Sequence, residues 1–218
     1  IGKFYQRTDK SHSEEYKKYS QDDYGKNGAH AKWSCDFLDK YYNDDIVDLV
    51  LYHHNHTKSN YPDLCSILKK ADHHSASERE DIDDTQEVNK TPLISLFSKI
   101  VLEGNDKVDE QYIPLNKLSL DDGSFNNLKP AAKKDTMGGW NLVPEYKNLW
   151  DEFNSEFELI QNKIDFNTLL ALLKKYASTM PSAAYKSKSD ISLYDHSKTT
   201  AALAVSRYLF NRDGDVKL

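Results

Sequence analysis

The sequence predicts a mostly α-helical fold of about seven helices with little strand. Three observations predict it. Apolar residues recur at helical spacing over long runs, most clearly from Pro144 to Lys163. Strand-like composition is confined to two short segments, Thr91–Leu102 and Tyr112–Leu120. Between the periodic runs lie polar tracts rich in Gly, Asn, Asp and Lys, which read as loop.

Taken in order, Ile1–Arg7 suits a helix end or the turn after one. Ser11–Gly28 is polar and reads as a mobile loop. A helix is expected to begin near His30, because Trp33, Phe37 and Tyr41 repeat at helical spacing behind it. Asp44 and Asp45 are candidate caps for the next helix, whose stripe is Ile46, Leu49 and Val50, continued by His53. After a turn over Asn55–Pro62, Pro62 suits the first position of a helix ending near Asp72. Asp81–Asn89 is acidic and reads as solvated. The two strand-like segments are candidates for a small hairpin. Asp121–Gly139 reads as loop, and its Gly138–Gly139 pair lacks the strand and helix of a phosphate-binding fingerprint.

The Pro144–Lys163 helix carries a stripe of Tyr146, Leu149, Trp150, Phe153, Phe157 and Ile160. A second helix follows over Phe166–Met180, ended by Met180–Ser182. Tyr185–Leu193 reads as extended, and Asp195 is the candidate cap of a last helix running to about Phe210.

Chemistry concentrates between Asp45 and Arg79, where five of the eight histidines fall: His53, His54, His56, His73 and His74. His53 continues one apolar stripe, and Asp72 continues another, at i+4 after Leu64 and Leu68. A buried carboxylate is costly unless it is paired or holds a metal. Two helices crossing there bring imidazole and carboxylate together, which suits a divalent transition metal. The alternative reading makes His53 a core residue bonded to backbone and Asp72 a cap or salt-bridge partner. His30, too, heads an apolar face.

Bulk properties bound the function. The 218 residues suffice for one large domain or two small ones. A net charge of −6 gives no global electrostatic reason to bind nucleic acid, so such a site must be a local patch. The fourteen tyrosines suit half-wet packing or the stacking of single strands. Cys35 and Cys65 form neither a disulfide framework nor a CxxC pair, so a reduced, cytoplasmic setting is expected. No run approaches the roughly 18 apolar residues of a membrane span, and no signal peptide is present. The chain opens on Ile, which reads as a trimmed start.

Several motifs together resemble one family. They are IGKFYQR at 1–7, HAKWSCDFL at 30–38, LVLYHH at 49–54, KKADHHSASERE at 69–80, TPLISLFSKI at 91–100 and SDISLYDHSKTTAALA at 189–204. This set is similar to the N-terminal region of the Cas10 family, the large subunit of type III-A CRISPR (Csm) effector complexes. The resemblance implies a helical HD-superfamily nuclease domain with circularly permuted motif order and a small β-hairpin or extended insertion. It implies domain limits of 1–188 for the nuclease domain and 189–218 for a connecting helix leading toward a palm domain. It also implies metal-dependent cleavage of single-stranded DNA in antiviral defence, switched on when guide RNA pairs with target RNA in the complex. The ion expected is Mn²⁺ or Ni²⁺, with Mg²⁺ as the alternative.

On these motifs His53, Asp72 and His196 are the expected metal ligands, and Lys3, His30 and His54 the expected catalytic or substrate-contacting residues. For His196 the other reading is a helix-start histidine packed in the core; for Lys3 it is a solvated surface lysine. The family's His-Asp dyad is expected just before Ile1, and a fragment lacking it should bind metal poorly and be nearly inactive. No GGDD occurs, so cyclic oligoadenylate synthesis belongs to the parent protein. A reading of another class is a scaffold or regulatory domain that positions the palm domains without cutting DNA.

Overall fold

In the computed structural model, residues 1–8, 18–25, 28–76, 89–101, 111–120, 129–130, 141–160, 165–183 and 189–213 are described. Half of Ser11–Gly28, most of Asp81–Asn89 and Asp121–Gly139, and residues 185–188 of the Tyr185–Leu193 run lie outside them. The chain divides into two units: Ile1–Asp81 with His196–Leu218, and Ile82–Asp195.

The first unit is helical. Among the described residues it holds α1 (Gly2–Gln6), α2 (Gln21–Tyr24), α3 (Ala29–Leu38), α4 (Asp44–Tyr52) and α5 (Pro62–Ser75), with a single 3-10 turn at His56–Lys58. Helix α4 is capped by Asn43, not by Asp44 or Asp45 as expected. The Asn43 side chain accepts from the Ile46 N–H at 3.2 Å. The two aspartates fall inside the first turn, where their charge meets the positive end of the helix dipole. Pro62 does open α5 at its first turn.

Helix α4 is held from both sides by thiols. Cys35 of α3 donates to the Val47 carbonyl at 3.4 Å, and Cys65 of α5 donates to the Leu49 carbonyl at 3.7 Å. Both cysteines are free and fully buried, as are Ala31 and Ala71. Small residues on α3 and α5 let the three helices approach closely. This double contact rotates the buried stripe away from the expected one. On α4, Val47 and Leu51 are buried, whereas Ile46 is 39% exposed. Ile46, Val47, Leu49, Val50 and Leu51 are all apolar, so periodicity alone cannot choose the face.

The second unit contains a three-stranded antiparallel sheet, β1 (Leu93–Ile94), β2 (Gln111–Ile113) and β3 (Lys129–Pro130), in that order. Leu93 pairs with Ile113, and Tyr112 with Lys129. The expected hairpin therefore forms, and a third strand arises from a tract read as loop. Strand β1 is short because the chain turns at Ser95, where Ser98 donates to the Ser95 carbonyl through both its N–H and its hydroxyl.

Helices α6 (Val143–Ile160) and α7 (Phe166–Ala177) supply the core of this unit. Tyr146, Phe153 and Phe157 are fully buried, and the Phe153 ring meets Tyr176 edge-on at 5.7 Å between centroids. Asp165 caps α7 by accepting from Thr168 N–H at 2.7 Å.

Helix α8 (Leu193–Asp213) begins in the second unit and runs into the first. Its cap is Ser192, not Asp195. The Ser192 hydroxyl accepts from Asp195 N–H at 3.0 Å and donates to the Asp195 carboxylate at 2.6 Å, so Asp195 sits one turn in. No helix among the described residues is long and apolar enough to cross a membrane.

Candidate metal centre

All the sequence-predicted site residues lie in the first unit. Helix α4 ends at Tyr52, so His53 occupies its C-cap and His54 the residue beyond. There the last turn leaves backbone carbonyls without helical partners. The His53 Nδ1–H donates to one of them, Val50 O, at 2.6 Å. That bond fixes the tautomer, so the neutral ring presents a lone pair at Nε2.

His30 stands in the first turn of α3. Its Nε2 lies 3.3 Å from His53 Nε2 and 3.1 Å from His54 Nε2. Three imidazole nitrogens from two helix ends thus converge, all within 4.8 Å of one another. Burial is the main force that pushes all three rings below the ordinary histidine value. His30 falls well below it, with Lys3 and the neighbouring imidazoles adding to burial. His53 falls, although its Val50 bond and the Asp72 charge oppose the shift. His54 is lowered to about 3, by burial first and then by His53. The rings are therefore neutral at physiological pH, the state in which imidazole binds metal.

The donor set fits a metal ion. Imidazole nitrogens sit about 2.0–2.1 Å from a bound transition-metal ion, so two on one ion stand about 3 Å apart. His30 Nε2 already stands at that spacing from His53 and from His54. Facing lone pairs repel, and only a proton or a cation between them relieves that. Nitrogen donors suit Zn²⁺ or Ni²⁺ better than the hard, oxygen-seeking Mg²⁺.

Asp72, near the end of α5, is bound instead to His196. The His196 Nε2–H donates to Asp72 Oδ1 at 3.0 Å, and the His196 side chain is 4% exposed. Burial alone would raise the Asp72 carboxyl. The His196 bond, with the nearby Lys3 ammonium, outweighs it and holds the group well below the usual carboxylate range. The second His196 nitrogen, Nδ1, is 2.9 Å from Ser75 Oγ, which in turn lies 2.7 Å from Thr200 Oγ1 and donates to the Asp72 carbonyl at 2.8 Å. Ser75 is three residues after Asp72, and Thr200 four after His196. Helical spacing from those two residues was the one sequence signal for them, and sequence reasoning missed both.

Lys3 on α1 shares this neighbourhood. Its charge depresses the pKa of His30, His53, His54 and Asp72, while the Asp72 charge raises that of the three histidines. The geometry therefore separates two groups within one electrostatic field. His30, His53 and His54 point nitrogens at a common centre, while Asp72 and His196 are paired. His74 stands apart, with Arg207 Nη2 at 3.1 Å from its Nδ1.

No family model matches the sequence. A protein of Methanocaldococcus jannaschii named CRISPR system single-strand-specific deoxyribonuclease Cas10/Csm1 (subtype III-A) is 29% identical over 227 residues. The alignment covers 95% of this chain. The chain is similar to Cas10/Csm1. It spans 26% of the length of that relative, so the match concerns one region of a much longer protein. At 95% of the chain, the Cas10/Csm1 alignment takes in both units.

Proposed function

We propose that the chain is the HD-type nuclease region of a type III-A effector large subunit, cutting single-stranded DNA with a bound divalent transition metal in antiviral defence. The observation that carries the metal reading is the convergence of three imidazole nitrogens, with His30 Nε2 3.3 Å from His53 Nε2 and 3.1 Å from His54 Nε2. The relative's name supports the substrate class. His30, His53 and His54 would hold the ion, Ni²⁺ being favoured by the nitrogen donors and Mn²⁺ by the Asp72 carboxylate. Asp72 and His196 are further ligands, each satisfied for now by the other. When bound, such an ion lowers the pKa of water and neutralises charge on the phosphate in flight.

The protein's own groups do the rest. Lys3 sets its ammonium toward the phosphate. Ser75 and Thr200 fix the His196 ring, and His196 fixes the Asp72 carboxylate. The domain limits at 188/189, the cytoplasmic setting, and partnership with the other subunits, guide RNA and target RNA belong to the same reading.

The test is Mn²⁺-dependent cleavage of labelled single-stranded DNA by the protein carrying this sequence, with EDTA and His53→Ala as controls. Abolition of cleavage by both is the expected result. Cleavage that survives His53→Ala sinks the site assignment. No cleavage, even in the assembled complex with target RNA, moves the function to a non-catalytic domain positioning its neighbours.

A further inference from the structure

The first residue of helix α1, Gly2, lies against the first turn of α3. Its N–H belongs to the opening turn of the helix and has no helical partner. It donates to Ser34 Oγ at 2.9 Å. The same hydroxyl donates to the His30 carbonyl, one turn back, at 3.0 Å. One hydroxyl thus bridges the backbone of α1 to the backbone of the residue that carries a site imidazole.

The approach is possible only because Gly2 lacks a side chain. A Cβ there would stand 1.8 Å from the His30 carbonyl oxygen, 2.5 Å from Ser34 Oγ and 2.8 Å from the His30 carbonyl carbon. Two of these three atoms are backbone and cannot swing aside. Ordinary carbon contacts are about 3.5–4.0 Å, so either α1 or α3 would have to move by more than about 1 Å. Productive site geometry tolerates about 0.5 Å. Lys3 is the next residue after Gly2, so the same contact sets where the Lys3 backbone stands relative to His30.

We propose that Gly2 and Ser34 are positioning residues: their clasp seats α1 on α3 and holds His30 in register with His53 and His54. The inference deepens the metal reading above and rests on it for its consequence, metal affinity, but not for the ring geometry itself.

The test compares the wild-type 218-residue chain with Gly2→Ala and Ser34→Ala. Ser34→Ala adds no atom and removes only the bridging hydroxyl, so it decides the question if Gly2→Ala does not fold. Two quantities are read. Contacts between the His30 and His54 ring protons are followed by nuclear Overhauser effects in the metal-free chain. Ni²⁺ affinity is measured by calorimetric titration.

The expected result is loss of the His30–His54 contacts and a drop of about 10–100-fold in Ni²⁺ affinity in folded variants, the size usual for residues that orient a ligand. A thermal unfolding curve close to wild type separates this from a general loss of structure. Ring contacts and affinity unchanged in both variants overturn the inference. If the contacts are lost on substitution but wild type takes up no Ni²⁺, the positioning role stands and the metal reading fails.

Discussion

The two units differ in what gathers beside their packed helices. In the second, α6 and α7 close on aromatic rings: Trp150 and Phe153 at 5.5 Å, Phe153 and Phe157 at 6.0 Å, Phe153 and Tyr176 at 5.7 Å. In the first, α4 meets α3 and α5 over alanine and cysteine, the buried rings are Phe4, Tyr5 and Phe37, and three half-buried histidines converge beside them. Aromatic burial stabilises by itself, through area removed from water. Converging imidazole nitrogens stabilise little until a cation joins them. On the proposed reading, the histidine cluster of the first unit gains stability only from what it binds.

A parallel contrast holds for the acid–base pairs. Lys175 binds Glu156 at 2.6 Å with both side chains 36% exposed, where water screens the attraction. His196 and Asp72 sit at 3.0 Å with 4% and 21% exposure, where the loss of either partner strands the other.

The comparison can be broken or sharpened by measurement. The largest effect is expected from Phe153→Ala in the second unit. Deleting a fully buried ring should cost about 3–5 kcal/mol in urea-induced unfolding. A cost under 1 kcal/mol would deny that the aromatic cluster is the core. Next, Ni²⁺ at a hundredfold excess over its Kd should stabilise the chain by about 2.7 kcal/mol, with EDTA reversing the gain and His53→Ala abolishing it. Equal stabilisation of the His53→Ala chain would place the ion elsewhere.

The smallest effect concerns pH. Burial pushes the Glu156 carboxyl up, but its bonds from Lys175 and Tyr176 outweigh burial and hold it below the ordinary glutamate value. A depressed native pKa gives stability that is present above the unfolded value, about 4.3, and lost as pH falls through the native one. Because the pair is a third exposed, the loss should stay under about 1 kcal/mol. Stability measured between pH 5 and pH 3 should fall less steeply in Glu156→Gln than in wild type. Identical slopes would show the pair to be inert.

How much of this was legible in the sequence depended on what kind of signal each element left. The α6 stripe was plain, because Tyr146, Leu149, Trp150, Phe153 and Phe157 face one way and the residues between them are polar. The α4 stripe was misread, because a run apolar on nearly every side fits several faces. Caps slipped by one to three residues, since Asn43 and Ser192 compete with neighbouring aspartates and only backbone angles decide among them. Strand β3 was read as loop, because its partner β2 is distant in sequence and the pairing leaves no local mark.

The sequence by itself determined the helical class and the amphipathic runs. Residue type and spacing encode these directly. Tertiary structure alone decided the grouping: which imidazoles share a centre, that His196 holds Asp72, and that Gly2 must be bare for α1 to reach His30. Those relations span 23 to more than a hundred residues of chain, and only the packing of helices fixes them.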